Sequence, residues 1–379
     1  MDLHLADRFK TKFGRQPVII QSPGRINLIG EHTDYNDGLV MPCAIQYHLK
    51  LAIALNDSGR CNCSSSSFGD TVFSIGELVP GNFWINYVMG VIHGFKVSGI
   101  AVRGFDLMVE GDLPVGAGLS SSAALCCGLA FGLSNLMQTN FDRLELVRIA
   151  QQAEHYFAGV RCGLMDQYTC LFGSKDAAIL LDCRSLTHEL IELHLGSYTW
   201  LLVNSGVHHQ LADSAYNKRR ESCESGVRFL ATRFQISSLR DVTIDMLNSE
   251  AAQMDPEAFR RCRYVVEEIA RTESAADQLR SGDLIGFGKS MVATHDGLRF
   301  QYEVSCDETD FLVELARSSE GVLGARMMGG GFGGCTLNLI HKDRIGEFSS
   351  EVRKKYVARF KKEPDFYQVS ASDGVKLTN

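Results

Sequence analysis

Between Leu113 and Met137 the sequence LPVGAGLSSSAALCCGLAFGLSNLM runs from a turn with two closely spaced glycines and three consecutive serines into a long apolar stretch. Few arrangements accommodate such a segment. The apolar part is predicted to form a buried helix from about Ser122 onward. The glycines before it let backbone N–H groups approach an anion closely, and the helix adds its positive end. The segment therefore reads as a phosphate cradle whose serine hydroxyls are available to phosphate oxygens or to a bound Mg²⁺; a Ser-capped helix after a plain Gly turn is the alternative. It is not a P-loop, which needs a Gly-Lys-Ser/Thr ending. The nearest approach, Gly288-Lys289-Ser290, lacks the upstream glycine at residue 283, which is aspartate. Gly329, Gly331 and Gly334 fit the dinucleotide spacing but lead into strand-like CTLNLI rather than a helix, which excludes a Rossmann reading. No G-x-S-x-G elbow is present to support serine hydrolase chemistry.

A second dense segment runs from Arg25 to Asn36 (RINLIGEHTDYN) and offers acceptors at Glu31 and Asp34 beside donors at Arg25 and a ring nitrogen of His32. A polyhydroxylated ligand needs both kinds of group in one place, which points to a sugar. A third segment carries Glu154 and Asp166, twelve positions apart across a Gly-containing turn (CGLMDQ). One carboxylate of such a pair suits a metal, and the other a reacting hydroxyl.

Composition narrows the class. With 45 acidic against 38 basic residues the chain has a net charge of −7 and no Lys/Arg-rich run. It lacks the footprint needed to displace counterions from nucleic acid. No apolar run approaches the roughly 18 residues of a membrane span, and the N-terminus has no signal-peptide core. A cytoplasmic protein with no nucleic-acid or membrane partner is expected. The 12 cysteines contain no C-x-x-C pair and are read as buried thiols rather than disulfides or zinc ligands.

The pattern of elements predicts an α+β protein. Residues 18–45 read as two strands around a functional loop, 105–110 as a strand, and 142–157 as an amphipathic helix that Gly159 ends. Strands are expected at 177–183, 188–195 and 199–205. Helices follow His209 until a Gly-rich turn and strand around GARMMGGGFGGCTLNLI. A domain boundary is placed near residue 205.

Taken together the segments resemble the GHMP small-molecule kinases, in the branch that phosphorylates galactose. PGRINLIGEHTDYNDG looks like that branch's sugar signature, LPVGAGLSSSAA like the shared phosphate loop and MMGGGFGG like the third motif. QQAEHYFAG, CGLMDQY, LDCRSL, AYNKRRESCE and YEVSC extend the likeness in order over nearly the whole chain. The resemblance implies a two-domain GHMP kinase fold, with a ribosomal-protein-S5-like domain over 1–205 and a ferredoxin-like domain over 206–379. By the same likeness Arg25, Glu31, His32, Asp34, Gly163, Asp166 and Tyr216 would surround the sugar. Asp166 and Arg25 would be the catalytic pair at the C1 hydroxyl, with Arg25 holding the carboxylate ionised. Gly116, Ala117, Gly118, Leu119, Ser120, Ser121, Ser122 and Ala123 would wrap the ATP phosphates, Trp84 and Tyr87 would contact adenine, and Ser122 and Glu154 fall at the Mg²⁺ positions. Three positions depart from the family pattern: Arg161 and the residue after Cys306 where proline is common, and Phe83 where a polar residue is common. The sequence leaves open a kinase acting on N-acetylgalactosamine or arabinose, and a non-catalytic sensor of galactose and ATP.

Overall fold

The computed structural model describes residues 2–81, 84–114, 116–208 and 212–378. Expectations that touch Phe83, Val115 and His209 lie outside them. The chain begins with α1 (Asp2–Phe13), then β1 (Val18–Asn27), β2 (Leu39–Val40), β3 (Pro42–Leu55) and the hairpin β4 (Arg60–Ser65) and β5 (Gly69–Ser74). Next come α2 (Ile85–Val97), β6 (Phe105–Gly111), α3 (Ser121–Leu136), α4 (Arg143–Ala153), α5 (Met165–Phe172), β7 (Ala177–Asp182), β8 (Thr187–Glu192) and β9 (Tyr198–His208). The rest is α6 (Ala212–Leu230), α7 (Ile244–Glu250), α8 (Pro256–Arg280), α9 (Leu284–Phe300), α10 (Asp307–Arg317), β10 (Val322–Met327), β11 (Gly333–His341), α11 (Ile345–Phe360), β12 (Asp365–Val369) and β13 (Lys376–Thr378).

The α+β expectation matches this mixture of layers. Among the described residues six strands form one sheet in the order β13-β1-β3-β6-β4-β5, four form a second in the order β10-β11-β9-β12, and β2-β7-β8 form a third. The expected boundary at residue 205 falls inside β9, which pairs with β11 and β12 in the second sheet. The last strand, β13, returns to pair with β1. A cut drawn from element order misses both facts, because strand partners are chosen by tertiary packing.

Local sequence accounts for the elements that carry the site. In α4, Asp142 accepts from the Glu145 N–H at 2.8 Å while the Glu145 carboxylate accepts from the Asp142 N–H at 2.7 Å, a reciprocal cap. The face bearing Leu146, Ile149, Ala150 and Ala153 is buried. The predicted helix does reach Gly159, but its last turn, 154–158, widens to a π-helix before Gly159 ends it at φ +76°. Apolar α3 packs across β1 and β3. In β1 the pairing with β3 shifts between Pro23 and Arg25. Such a bulge re-aims the side chain that follows. Among the described residues no helix is long and apolar enough to cross a membrane, and all 12 cysteines are free thiols.

Candidate active site

Arg25, leaving the bulge in β1, reaches the first turn of α5. Its Nε and Nη2 donate to the two oxygens of Asp166 at 2.7 and 2.8 Å, and its Nη1 donates to the Gly118 carbonyl at 2.7 Å. One guanidinium thus ties the third dense segment to the glycine loop. Burial opposes the charge on Arg25, but the facing Asp166 carboxylate outweighs it and raises the pKa. Ser120 Oγ adds a further hydrogen bond to Asp166 Oδ2. The carboxylate is therefore held at both oxygens and cannot swing.

The glycine loop has the backbone its composition predicts: Gly116 and Gly118 lie at φ +77° and +72°, and Ser120, entering α3, lies at +58°. Ala117, Leu119 and Ala123 bury their side chains, so their contribution to a ligand is limited to backbone. Ser122, in the first turn of α3, donates to Glu154 Oε2 at 2.9 Å, and Gln167 Nε2 donates to Oε1 at 2.6 Å. Burial, helped by the like charge of Asp166, pushes the Glu154 carboxyl up to about 7. A hydroxyl and a costly buried carboxylate side by side are an oxygen donor pair that fits a hard cation.

The segment after Gly30 turns tightly, with His32 at φ +62°. Asp34 projects toward the turn before α5, where a side chain on Gly163 would collide with its carboxylate. Any larger residue there would force the Asp34 side chain to move. Burial, with Asp166 and Glu31 nearby, pushes Asp34 up to about 7. Burial also holds the His32 imidazole near 3, helped by the cations Arg219, Arg261 and Arg326.

These groups meet in one cleft of about 270 Å³. It is lined by Arg25, Glu31, His32, Asp34, Tyr87, Ser122, Glu154, Gly163, Asp166 and Tyr216, together with Gly329, Gly330 and Gly331. A second cavity of about 570 Å³ shares Tyr87 and Ser122 with it and is walled by Ser65, Ser66, Ser67, Phe68, Trp84, Asn86 and Glu110. Phe68 stacks on Trp84 with centroids 6.4 Å apart. Every side chain expected at the sugar thus faces the first cleft. Trp84 and Tyr87 face the second, and Ser122 lies where the two join.

Several participants escaped the sequence reading. Arg326, fully buried in β10, donates to Glu31 Oε1 at 2.9 Å, to the Leu28 carbonyl at 2.9 Å and to the Asn27 carbonyl. The Gly329 N–H also donates to Glu31 Oε1, at 2.9 Å. The glycine-rich third motif thereby fixes Glu31 from the second sheet, and an arginine set inside an apolar strand was the available signal. The serine run of the β4–β5 hairpin carried none. Arg161 has a use here: its Nη2 pairs with Glu224 at 2.9 Å, its N–H donates to Asn217 Oδ1 at 3.3 Å, and its carbonyl accepts from Arg220 Nη1 at 2.9 Å. The turn before Asp166 is thereby latched to α6.

Three family descriptions match the chain: "Galactokinase galactose-binding signature" over residues 7–55, "GHMP kinases N terminal domain" over 86–174 and "GHMP kinases C terminal" over 275–358. The galactokinase of Thermotoga neapolitana is 42% identical over 357 residues, covering 94% of this chain and 99% of its own. The solved structure of Lactococcus lactis galactokinase complexed with galactose superposes with a TM-score of 0.96 at 34% identity, covering 99% of both chains. The Methanococcus jannaschii mevalonate kinase superposes at 0.64 with 16% identity over 94% of this chain and 99% of its own, which is a likeness of fold alone.

Proposed function

From the chain's membership of the galactokinases, within the GHMP kinase family, we propose that it transfers the γ-phosphoryl group of ATP to the C1 hydroxyl of galactose, giving galactose 1-phosphate and ADP. The observation that carries the site assignment is the Asp166 carboxylate, clamped by Arg25 and Ser120 at the mouth of the glycine loop. Phosphoryl transfer asks the protein chiefly for positioning and charge stabilisation, so no covalent nucleophile is needed. Asp166 orients the hydroxyl and accepts its proton as the O–P bond forms. Arg25 fixes that carboxylate and balances its charge. Glu31, His32, Asp34 and Tyr216 bind the remaining hydroxyls and the sugar face. Backbone amides of residues 116–122 and the positive end of α3 receive the phosphates. Trp84 and Tyr87, with Phe68, supply the aromatic walls for adenine.

Ser122 and Glu154 are the residues that would hold Mg²⁺. The bound cation would neutralise charge on the phosphates. The free thiols and soluble composition accord with work in the cytoplasm.

An ATP-consumption assay over a panel of free sugars tests the reading. A site built to pair hydroxyls rejects analogues that leave its polar groups unsatisfied. We expect kcat/KM for galactose to exceed that for glucose and for N-acetylgalactosamine by at least about 10²-fold, or ~2.7 kcal/mol of differential transition-state binding. Equal efficiency on N-acetylgalactosamine would overturn the substrate while leaving the kinase chemistry, and ATP hydrolysis with no sugar preference would overturn both.

A further inference from the structure

Where the sugar segment leaves β1 and turns at Gly30, α8 lies against it with Tyr264, Glu268 and Thr272, spaced one helical turn apart and all wholly buried. The Gly30 N–H donates to Glu268 Oε1 at 2.9 Å, and Tyr264 Oη donates to the Glu31 carbonyl at 3.0 Å. Between these two bonds the Gly30 carbonyl accepts from Thr33 Oγ1 at 3.0 Å. Consecutive peptide groups on both sides of Gly30 and Glu31 are thus tied down, the outer two by α8. The packing is as close as the hydrogen bonding, for a Cβ on Gly30 would stand 2.6 Å from the Leu39 carbonyl and 3.0 Å from Thr272 Oγ1.

An N–H can only donate and a carbonyl can only accept, so neither bond from α8 can run the other way. Glu268 is a costly group to bury, and its remaining contacts compensate it. Thr294 Oγ1 lies 3.0 and 2.9 Å from its two oxygens, and Arg271 pairs with Oε2. Held in this way, the carboxylate is a rigid charged acceptor, which grips a backbone N–H roughly twice as strongly as a neutral one. The side chain of Glu31 is anchored separately, and among the described residues both protein hydrogen bonds to its carboxylate, from Arg326 and from the Gly329 N–H, fall on Oε1. Oε2 is the oxygen not committed to the protein, in a residue that lines the sugar cleft.

We propose that Tyr264 and Glu268 are positioning residues for the sugar, acting through the backbone of Gly30 and Glu31 to set where the Glu31 carboxylate stands in the cleft. The inference rests on the galactokinase reading, in which Glu31 binds a hydroxyl of galactose. With one oxygen committed, the carboxylate has one oxygen for one ligand hydroxyl. Its placement therefore governs recognition at a single ring position rather than affinity in general. A displacement of about 0.5 Å is enough to spoil such a contact, and α8 is the element that prevents it.

The test compares the parent, Tyr264→Phe and Glu31→Gln on galactose and on its monodeoxy analogues, taking the ratio of kcat/KM for galactose to that for each analogue. Tyr264→Phe keeps the ring packed beside Tyr302, at a centroid distance of 4.8 Å in the parent, and removes only the hydroxyl. Glu31→Gln should shrink the ratio at one position, which identifies the hydroxyl that Glu31 reads. Tyr264→Phe should shrink the ratio at that same position about tenfold, with the other ratios, saturating kcat and KM for ATP within about twofold. Glu268→Met should share this profile, whereas Glu268→Gln, which keeps an oxygen for the Gly30 N–H, should stay near the parent. If Glu268→Met does not fold, Thr294→Val removes only the hydroxyl that holds Glu268 and should shrink the same ratio about threefold. Parental ratios in Tyr264→Phe overturn the proposal, as do ratios that fall together at every position, the mark of a cleft loosened in general, or a Glu31→Gln profile that matches the parent's. A parent inactive on galactose would overturn the galactokinase reading and this inference with it, whereas an active parent with an unaltered Tyr264→Phe profile overturns the inference alone.

Discussion

Asp166 and Asp34 are both carboxylates of the same cleft, and their surroundings give them different work. Asp166 is bound at both oxygens by Arg25 and by Ser120. Asp166→Asn keeps the shape but can neither take the proton nor carry the charge, so kcat should fall at least about 10²-fold while KM for the sugar changes little. Steady-state kinetics on the folded variant checks this, and a near-parental kcat would falsify the assignment. Asp34 has no such cation against it, and burial pushes its carboxyl up to about 7. Because the folded, sugar-free protein holds this proton more tightly than the unfolded chain, Asp34 costs nothing below about pH 4. Its penalty grows as pH rises and is complete above about pH 7. Asp34→Asn should therefore melt higher than the parent at pH 8, by an amount on the order of 1 kcal/mol given the open cleft beside it, and equally at pH 4. Calorimetry at the two pH values reads the difference, and the same variant should lose galactose turnover. Equal melting at both pH values would mean that the apo enzyme does not strain to keep Asp34 charged.

At the scale of single elements, the turn after α4 shows how one local irregularity makes a site. The capped, amphipathic part of that helix is legible in Asp142, Glu145 and the spacing of Leu146, Ile149 and Ala153. Its widening to a π-turn at Glu154 is not, since periodicity averaged over a helix does not register one extra residue per turn. The consequence is chemical, because Glu154 lies in that turn, facing Ser122 with little exposure. Glu154→Ala should raise the Mg²⁺ concentration needed for half-maximal rate by about tenfold or more, as loss of a coordinating or supporting carboxylate commonly does. Excess Mg²⁺ should restore part of the rate. A Mg²⁺ titration that overlays the parent's would return Glu154 to the role of a helix-packing residue.

Over the whole molecule, the cleft exists because distant parts of the chain are pressed against one another, and the buried Arg326–Glu31 pair, at 2.9 Å, is one of those contacts. Removing one partner of a buried pair leaves the other uncompensated, so Arg326→Met should destabilise the fold by about 3–5 kcal/mol. It should also raise KM for galactose, because Glu31 loses its anchor. Adding Glu31→Gln should recover part of the lost stability in urea unfolding. Strict additivity would show that the two residues do not act as a unit. The sequence by itself determined the α+β class, the glycine–serine turn that enters α3, the dense polar segment after Arg25 and the two carboxylates Glu154 and Asp166. Each of these is encoded locally, in glycines that permit a turn, in caps that start a helix and in dense runs of polar side chains. It left undecided that β9 belongs to the second sheet and that β13 closes the first. It also left undecided that Arg326 grips Glu31, that Arg161 latches to α6, and that Tyr264 and Glu268 hold the backbone of Gly30 and Glu31. These are contacts between residues tens to hundreds of positions apart, and which of them form depends on how sheets and helices pack in three dimensions.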